Sequence, residues 1–386
     1  MKQLNRNFLF LQQKRKNPPI HRDYLLLACT GHDIMMAIAS LQQEGSAVTA
    51  KEHLHTILQH QSTKSGFWHG RPNGASTKTL FKAFQVQDDF ELGQKLGSTC
   101  CWVHPEVHSL YQHPEGKPMF DALGGKKRIS LNQDGVFAHC EDVKEVEAFD
   151  WPDEKYIHYE GTLQQIDRAI AAGQGVLSGS WSCFFHNVCD FFGMENYFLK
   201  MYTDPDVVEA VTEHVVDFYL RVNEKLFQQV ADKIDMFFFG NDFGSQLDTL
   251  ISPEMFDRFV MPGFRKFTDQ AHRHGMKVLL HSCGSIYRVI PRLIDAGVDA
   301  LHPIQARAVN MDAQTLAREF NGKIVFVGGL DTQQILPHAT PRQIKEEVYR
   351  LRDLFGPNFL LSPSHESILP DVPWENVQAM AEAALE

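Results

Sequence analysis

The residue types that allow chemistry most directly are a histidine and a cysteine two positions apart. His281 and Cys283 close the run Lys277-Val278-Leu279-Leu280-His281-Ser282-Cys283-Gly284, whose apolar start reads as a β-strand. Residues two apart on a strand project to the same face, so an imidazole and a thiol point together where the strand runs out. Such a pair suits a borderline-soft cation such as zinc. A buried histidine beside an inert cysteine is the competing explanation. Gly284, which lets the chain turn at once, weighs against it.

Other apolar runs also end in polar side chains. Met236 to Gly240 is followed by Asn241 and Asp242, and Gly175 to Gly179 by Ser180 and Trp181. Ala300-Leu301 leads to His302, Ile324 to Leu330 to Asp331, and Phe359 to Ser364 to His365 and Glu366. Asp242 and Asp331 could equally cap the helices that follow, and His302 before Pro303 could simply be packed. Phe67-Trp68-His69-Gly70-Arg71-Pro72 has the make-up of a stiff loop rather than an element. Its Trp68 and His69, with Trp181, Asn241, His302 and Asp331, are the expected substrate contacts. Glu366 and Asp242 are the candidates for general acid or base, or for a displaceable metal ligand.

These positions need a frame that gathers strand ends. Six apolar strands alternate with helical patterns from residue 160 onward, and the run at Cys101 makes a seventh, which signals parallel βαβ units. No phosphate-binding glycine loop follows a strand, so a closed α/β (β/α)8 TIM barrel fits better than an open sheet. Residues 1–95 read as a mainly helical N-terminal extension packed on the barrel, with helices at 33–41 and 49–61. The barrel is expected over 96–386. Arg128 to Leu131 and Val136 to His139 flank Asn132-Gln133-Asp134-Gly135, which reads as a β-hairpin insertion within about 120–150. The eighth strand is expected in that region.

Composition narrows the function further. The 386 residues are 43% hydrophobic and carry a net charge of −11, which suits a large core and argues against nucleic-acid binding. No apolar stretch reaches the ~20 residues of a membrane span. The start lacks a signal peptide's apolar core, and seven thinly spread cysteines without a CxxC motif read as reduced thiols, so a cytoplasmic protein is expected.

With His281-Ser282-Cys283-Gly284, Gly329-Leu330-Asp331, and Ser362-Pro363-Ser364-His365 followed by Pro370-Asp371-Val372-Pro373-Trp374-Glu375-Asn376 in view, the last 220 or so residues resemble the uroporphyrinogen decarboxylase superfamily. Within it they are more similar to the zinc- and cobalamin-dependent methyltransferase branch. That resemblance implies zinc held by His281 and Cys283, with His365 at the position where the methyltransferases carry a second cysteine. It also implies methylcobalamin carried by a partner corrinoid protein, and a small thiol or methoxy/methylated substrate. A site of two imidazoles and one thiolate leaves a fourth position open and is the stronger Lewis acid for its extra positive charge. Two other readings remain, a uroporphyrinogen decarboxylase and a non-catalytic ligand-binding barrel. The decarboxylase reading lacks the arginine-rich N-terminal signature Arg-Gln-Ala-Gly-Arg-Tyr. A homodimer is left open.

Overall fold

A single strand shows how this chain builds two cores at once. Met236 to Gly240 is entirely buried, and its side chains alternate between faces. Phe237 and Phe239 stack at 4.7 Å between ring centroids on the outer face. There they meet Phe227 of the helix Pro205–Val230 and Phe264 and Phe267 of the helix Met261–Arg273. Met236 and Phe238 point the other way, into an interior shared with Leu279, Ala300, Val325, Val327 and Leu360. Each buried phenylalanine contributes roughly 1.5–3 kcal/mol relative to exposure.

The computed structural model describes residues 48–386; the helix expected at 33–41 lies outside them. Eight strands form one parallel sheet: β1 Gly66–Phe67, β2 Cys100–Val103, β3 Gly175–Ser178, β4 Met236–Gly240, β5 Lys277–His281, β6 Ala300–Ile304, β7 Val325–Leu330 and β8 Phe359–Pro363. Their order is β1-β8-β7-β6-β5-β4-β3-β2. The two ends of that order meet where the Thr99 N–H donates to the Phe67 carbonyl at 2.7 Å and the Phe67 N–H to Thr99 Oγ1 at 2.9 Å. The result is the (β/α)8 barrel with helices outside. Its floor is plugged by Leu54, Ile57 and Leu58 of the helix Ala50–Leu58, which join the interior cluster. Residue 175 is glycine because a Cβ there would stand 2.4 Å from Leu54 Cδ2. Among the described residues, no helix is long and apolar enough to cross a membrane.

Two expectations are corrected. The eighth strand is not in the 120–150 region; it is β1, which runs into the stretch read as a loop, so the barrel begins well before residue 96. Only two residues long, β1 pairs Gly66 and Phe67 with Leu360 and Leu361 of β8, and its glycine and aromatics hid it. The β-hairpin insertion is also absent. Residues 120–142 contain no strand, because their backbone groups bond elsewhere. The Phe137 N–H donates to the Phe191 carbonyl at 2.8 Å and the Val136 N–H to Ala122 at 2.9 Å, while Leu131 accepts from Met194 at 2.9 Å. Ile129 and Leu131, apolar in the alternating pattern, are left exposed.

Candidate metal centre

His281 is the last residue of β5, and Cys283 follows where the chain leaves the sheet. The turn needs Gly284, whose φ is +85° and whose missing Cβ would collide with the Gly244 backbone at 2.3 Å. The two side chains converge as their spacing implies, with Cys283 Sγ 3.3 Å from His281 Nε2. Asp242, just past β4, completes a triad: its Oδ1 lies 3.3 Å from His281 Nε2 and accepts the Cys283 N–H at 2.8 Å. His365, beyond β8, has its ring centroid 6.0 Å from that of His281, while its Nδ1 accepts the Ser367 N–H at 3.2 Å. The ends of β4, β5 and β8 thus bring Asp242, His281 with Cys283, and His365 to one mouth, as barrel geometry requires.

On its other side His281 meets a second group. Its Nδ1 is 2.9 Å from His302 Nδ1 and 3.5 Å from Glu366 Oε2. The donor atoms of Asp242, His281 and Cys283, and those of His281, His302 and Glu366, form two clusters of metal-binding size sharing one imidazole.

The charges are arranged for a cation. Burial opposes ionisation of the Cys283 thiol, but the neighbouring imidazoles of His281 and His365 outweigh it and pull the thiol below its ordinary value. Burial likewise opposes charge on His281, yet Asp242, Cys283 and Glu366 together hold its imidazole well above the usual range. Asp242 is correspondingly held well below the usual carboxylate range, against its own burial, by His281. The donor set fits zinc. Nitrogen and sulfur ligands at zinc distances and a tetrahedral angle stand about 3.5 Å apart, close to the observed 3.3 Å. Glu366 Oε2 and His302 Nε2 are buried without a hydrogen-bond partner among the described residues.

The expected substrate contacts divide. Trp181 belongs to the site, its ring centroid 5.3 Å from His281. Trp68 is fully buried in the interior against Phe238 and His302, a wall of the site rather than a contact. His302 is also buried, beneath His281. His69 points away, its Nδ1 2.8 Å from Ser98 Oγ and its Nε2 3.1 Å from Asp89. Asn241 uses its amide on backbone, accepting from the Phe185 N–H and donating to the Ser182 carbonyl, both at 3.0 Å. Asp331 accepts from Arg307 at 2.7 Å and from the Gln333 N–H at 2.8 Å. These last three direct their polar atoms to neighbouring groups of the fold.

Beside the centre lies a cavity of about 620 Å³, lined by Trp102, His104, Trp181 and Glu366 and by Arg71 and Ser367. The last two sit on a short parallel ribbon pairing Arg71–Pro72 with Ser367–Ile368. Arg71 stands 5.5 Å above the Trp102 ring. Sequence reasoning missed Trp102 and His104, although their alternation at the end of β2 is the same signal that marked His281 and Cys283.

Comparison with known proteins agrees with this architecture. The family model for uroporphyrinogen decarboxylase (URO-D) matches residues 121–386. A curated methylcobamide:CoM methyltransferase, MtbA of Methanosarcina acetivorans, is 25% identical over 188 residues, covering 49% of this chain and 52% of that protein. MtbA of Methanosarcina mazei is 24% identical with the same coverage. The chain spans about half the length of these curated relatives. A solved methyltransferase from Methanosarcina mazei superposes with a TM-score of 0.61 at 14% identity, covering 88% of this chain and 98% of that one, a likeness of fold.

Proposed function

Since the chain belongs to the uroporphyrinogen decarboxylase family, we propose that it is a zinc-dependent methyltransferase. It would move a methyl group between a corrinoid carried by a partner protein and a small thiol or methoxy/methylated substrate. One observation carries this reading: His281 Nε2 stands 3.3 Å from Cys283 Sγ and 3.3 Å from Asp242 Oδ1, a cluster of metal-binding size. His281, Cys283 and His365 would hold the ion, and Asp242, beside them, is suited to fill the remaining place until a substrate displaces it. Bound zinc supplies Lewis acidity, which lowers the pKa of a substrate thiol or polarises an ether oxygen. Glu366, with a buried oxygen facing the site, is placed to take or give the proton at that sulfur or oxygen. Trp181 and Trp102, 5.3 Å apart between centroids, exclude water on the cavity side. Two curated relatives named as methylcobamide:CoM methyltransferases favour methyl transfer.

The cavity lining speaks against the decarboxylase reading. Among the described residues it holds one permanent cation, Arg71, beside the carboxylates of Asp89, Glu106 and Glu366. A substrate bearing several carboxylates needs paired cations once desolvated. The test is elemental analysis of the wild type, Cys283→Ala and His365→Ala, with methylcobalamin consumption in the presence of CoM as the activity readout. About one zinc per wild-type chain is expected, with most of it lost in both folded variants. Equal metal in all three would defeat the proposal.

A further inference from the structure

We infer that His302 is a positioning residue, the hydrogen-bond acceptor that fixes the ring orientation and tautomer of His281. The inference deepens the zinc reading and rests on it for its metal-binding consequence.

Two ring nitrogens, His281 Nδ1 and His302 Nδ1, face each other at 2.9 Å. That contact requires one proton and one lone pair between them, since two N–H groups would repel and two lone pairs would not bond. His281 cannot supply the lone pair if its Nε2, which faces Cys283 and Asp242, is to bind a metal. A neutral metal-ligating imidazole keeps its proton on the other nitrogen. With metal on Nε2, His281 Nδ1 donates and His302 Nδ1 accepts.

His302 can accept only if it stays neutral, and its surroundings ensure that. Its side chain is fully buried, with Trp68 at 5.2 Å and Phe238 at 5.6 Å between centroids. Its remaining proton then sits on Nε2, the atom with no partner among the described residues. The arrangement spends an unsatisfied N–H, which ordinarily costs on the order of 1–3 kcal/mol, and thereby keeps an acceptor under His281. Strand register holds the acceptor in place: His281 and His302 are direct neighbours in the β5–β6 ladder, and the Ser282 N–H donates to the His302 carbonyl at 2.8 Å. Glu366 offers His281 Nδ1 only a longer contact, 3.5 Å, and from a loop.

The experiment compares wild type, His302→Phe and His302→Asn in the full chain. Zinc affinity is measured by competition with a chromophoric chelator, and the thiolate-to-metal absorption is recorded with cobalt(II). His302→Phe keeps the volume but removes the acceptor, and its zinc affinity should fall about 10–100-fold with an altered cobalt spectrum. His302→Asn, which retains an acceptor oxygen, should recover part of the affinity. If the wild type binds no metal, the zinc reading itself fails. If it binds metal and His302→Phe binds equally well with the same spectrum, the positioning role fails. Two ions per wild-type chain would also overturn it, by making His302 a ligand. Should His302→Phe not fold, nitrogen-15 NMR of histidine-labelled, zinc-loaded wild-type protein decides. A proton on His281 Nδ1 supports the inference, and a bare His281 Nδ1 overturns it.

Discussion

Trp181 occupies the space that a side chain at Gly240 would need. A Cβ on Gly240 would lie 2.0 Å from Trp181 Cζ2 and 2.4 Å from Cε2. The indole therefore lies against the bare backbone at the end of β4, and this seat brings it to the edge of His281 and the cavity.

It follows that Gly240→Ala should drive the indole out of its seat. Overpacking of this kind costs about 1–3 kcal/mol, and the tryptophan emission should shift as Trp181 moves. In a Trp181→Ala background the same substitution has room, so most of its cost should vanish, giving a coupling of about 0.5–3 kcal/mol in a double-mutant cycle. Denaturant titration of the four proteins measures this. Additive costs would mean that Trp181 is not what forbids a side chain at 240.

How much of this site was legible in the sequence depends on the range over which each contact is set. His281 and Cys283 could be paired from local alternation alone, and the strand-end rule brought in Asp242, Trp181, His365 and Glu366. His302 was expected at the substrate, and its place under His281 could not be read, because it depends on the register between β5 and β6, which no local pattern encodes. Asn241 and Asp331 obeyed the strand-end rule yet bond neighbouring backbone and, for Asp331, Arg307, the alternative that a polar residue at a strand end always carries. The barrel was legible through its long buried strands. β1 was not, because two residues cannot display a period.

Asp299 ties the start of β5, the strand that ends in His281, to its surroundings. It accepts from Lys277 at 2.7 Å, from the Val278 N–H at 2.9 Å, and pairs with His272 at 2.8 Å. Burial works against its charge, but the His272, Lys277 and Val278 hydrogen bonds hold its carboxyl below the ordinary value. A carboxyl depressed in the folded state stabilises the protein above the unfolded value of about 3.9 and loses that contribution as pH falls through the folded value. Asp299→Asn should therefore cost about 1–3 kcal/mol at neutral pH. The gap from wild type should persist down to about pH 4 and shrink below it. Thermal melts across that range check the sign, and a gap that widens on acidification would contradict it.

The segment that looks like a hairpin supplies the last test. Gly135 follows Asp134 as in a two-residue hairpin turn, where glycine is chosen for a positive φ. Here Gly135 is not among the residues with positive φ. A Cβ on it would instead lie 2.2 Å from the carbonyl carbon and oxygen of Phe191 and 2.4 Å from the Asp190 oxygen. The glycine is needed for close approach to the end of the helix Phe184–Phe192, and those obstacles are backbone that cannot rotate aside. Gly135→Ala should thus break the bond from the Phe137 N–H to Phe191, formed at 2.8 Å, and destabilise the protein by about 1–3 kcal/mol. Hydrogen exchange at the Phe137 amide should accelerate with it. Were the segment a hairpin with a free turn, Gly135→Ala would leave that amide protected, and the helix-end packing described for this region would be wrong.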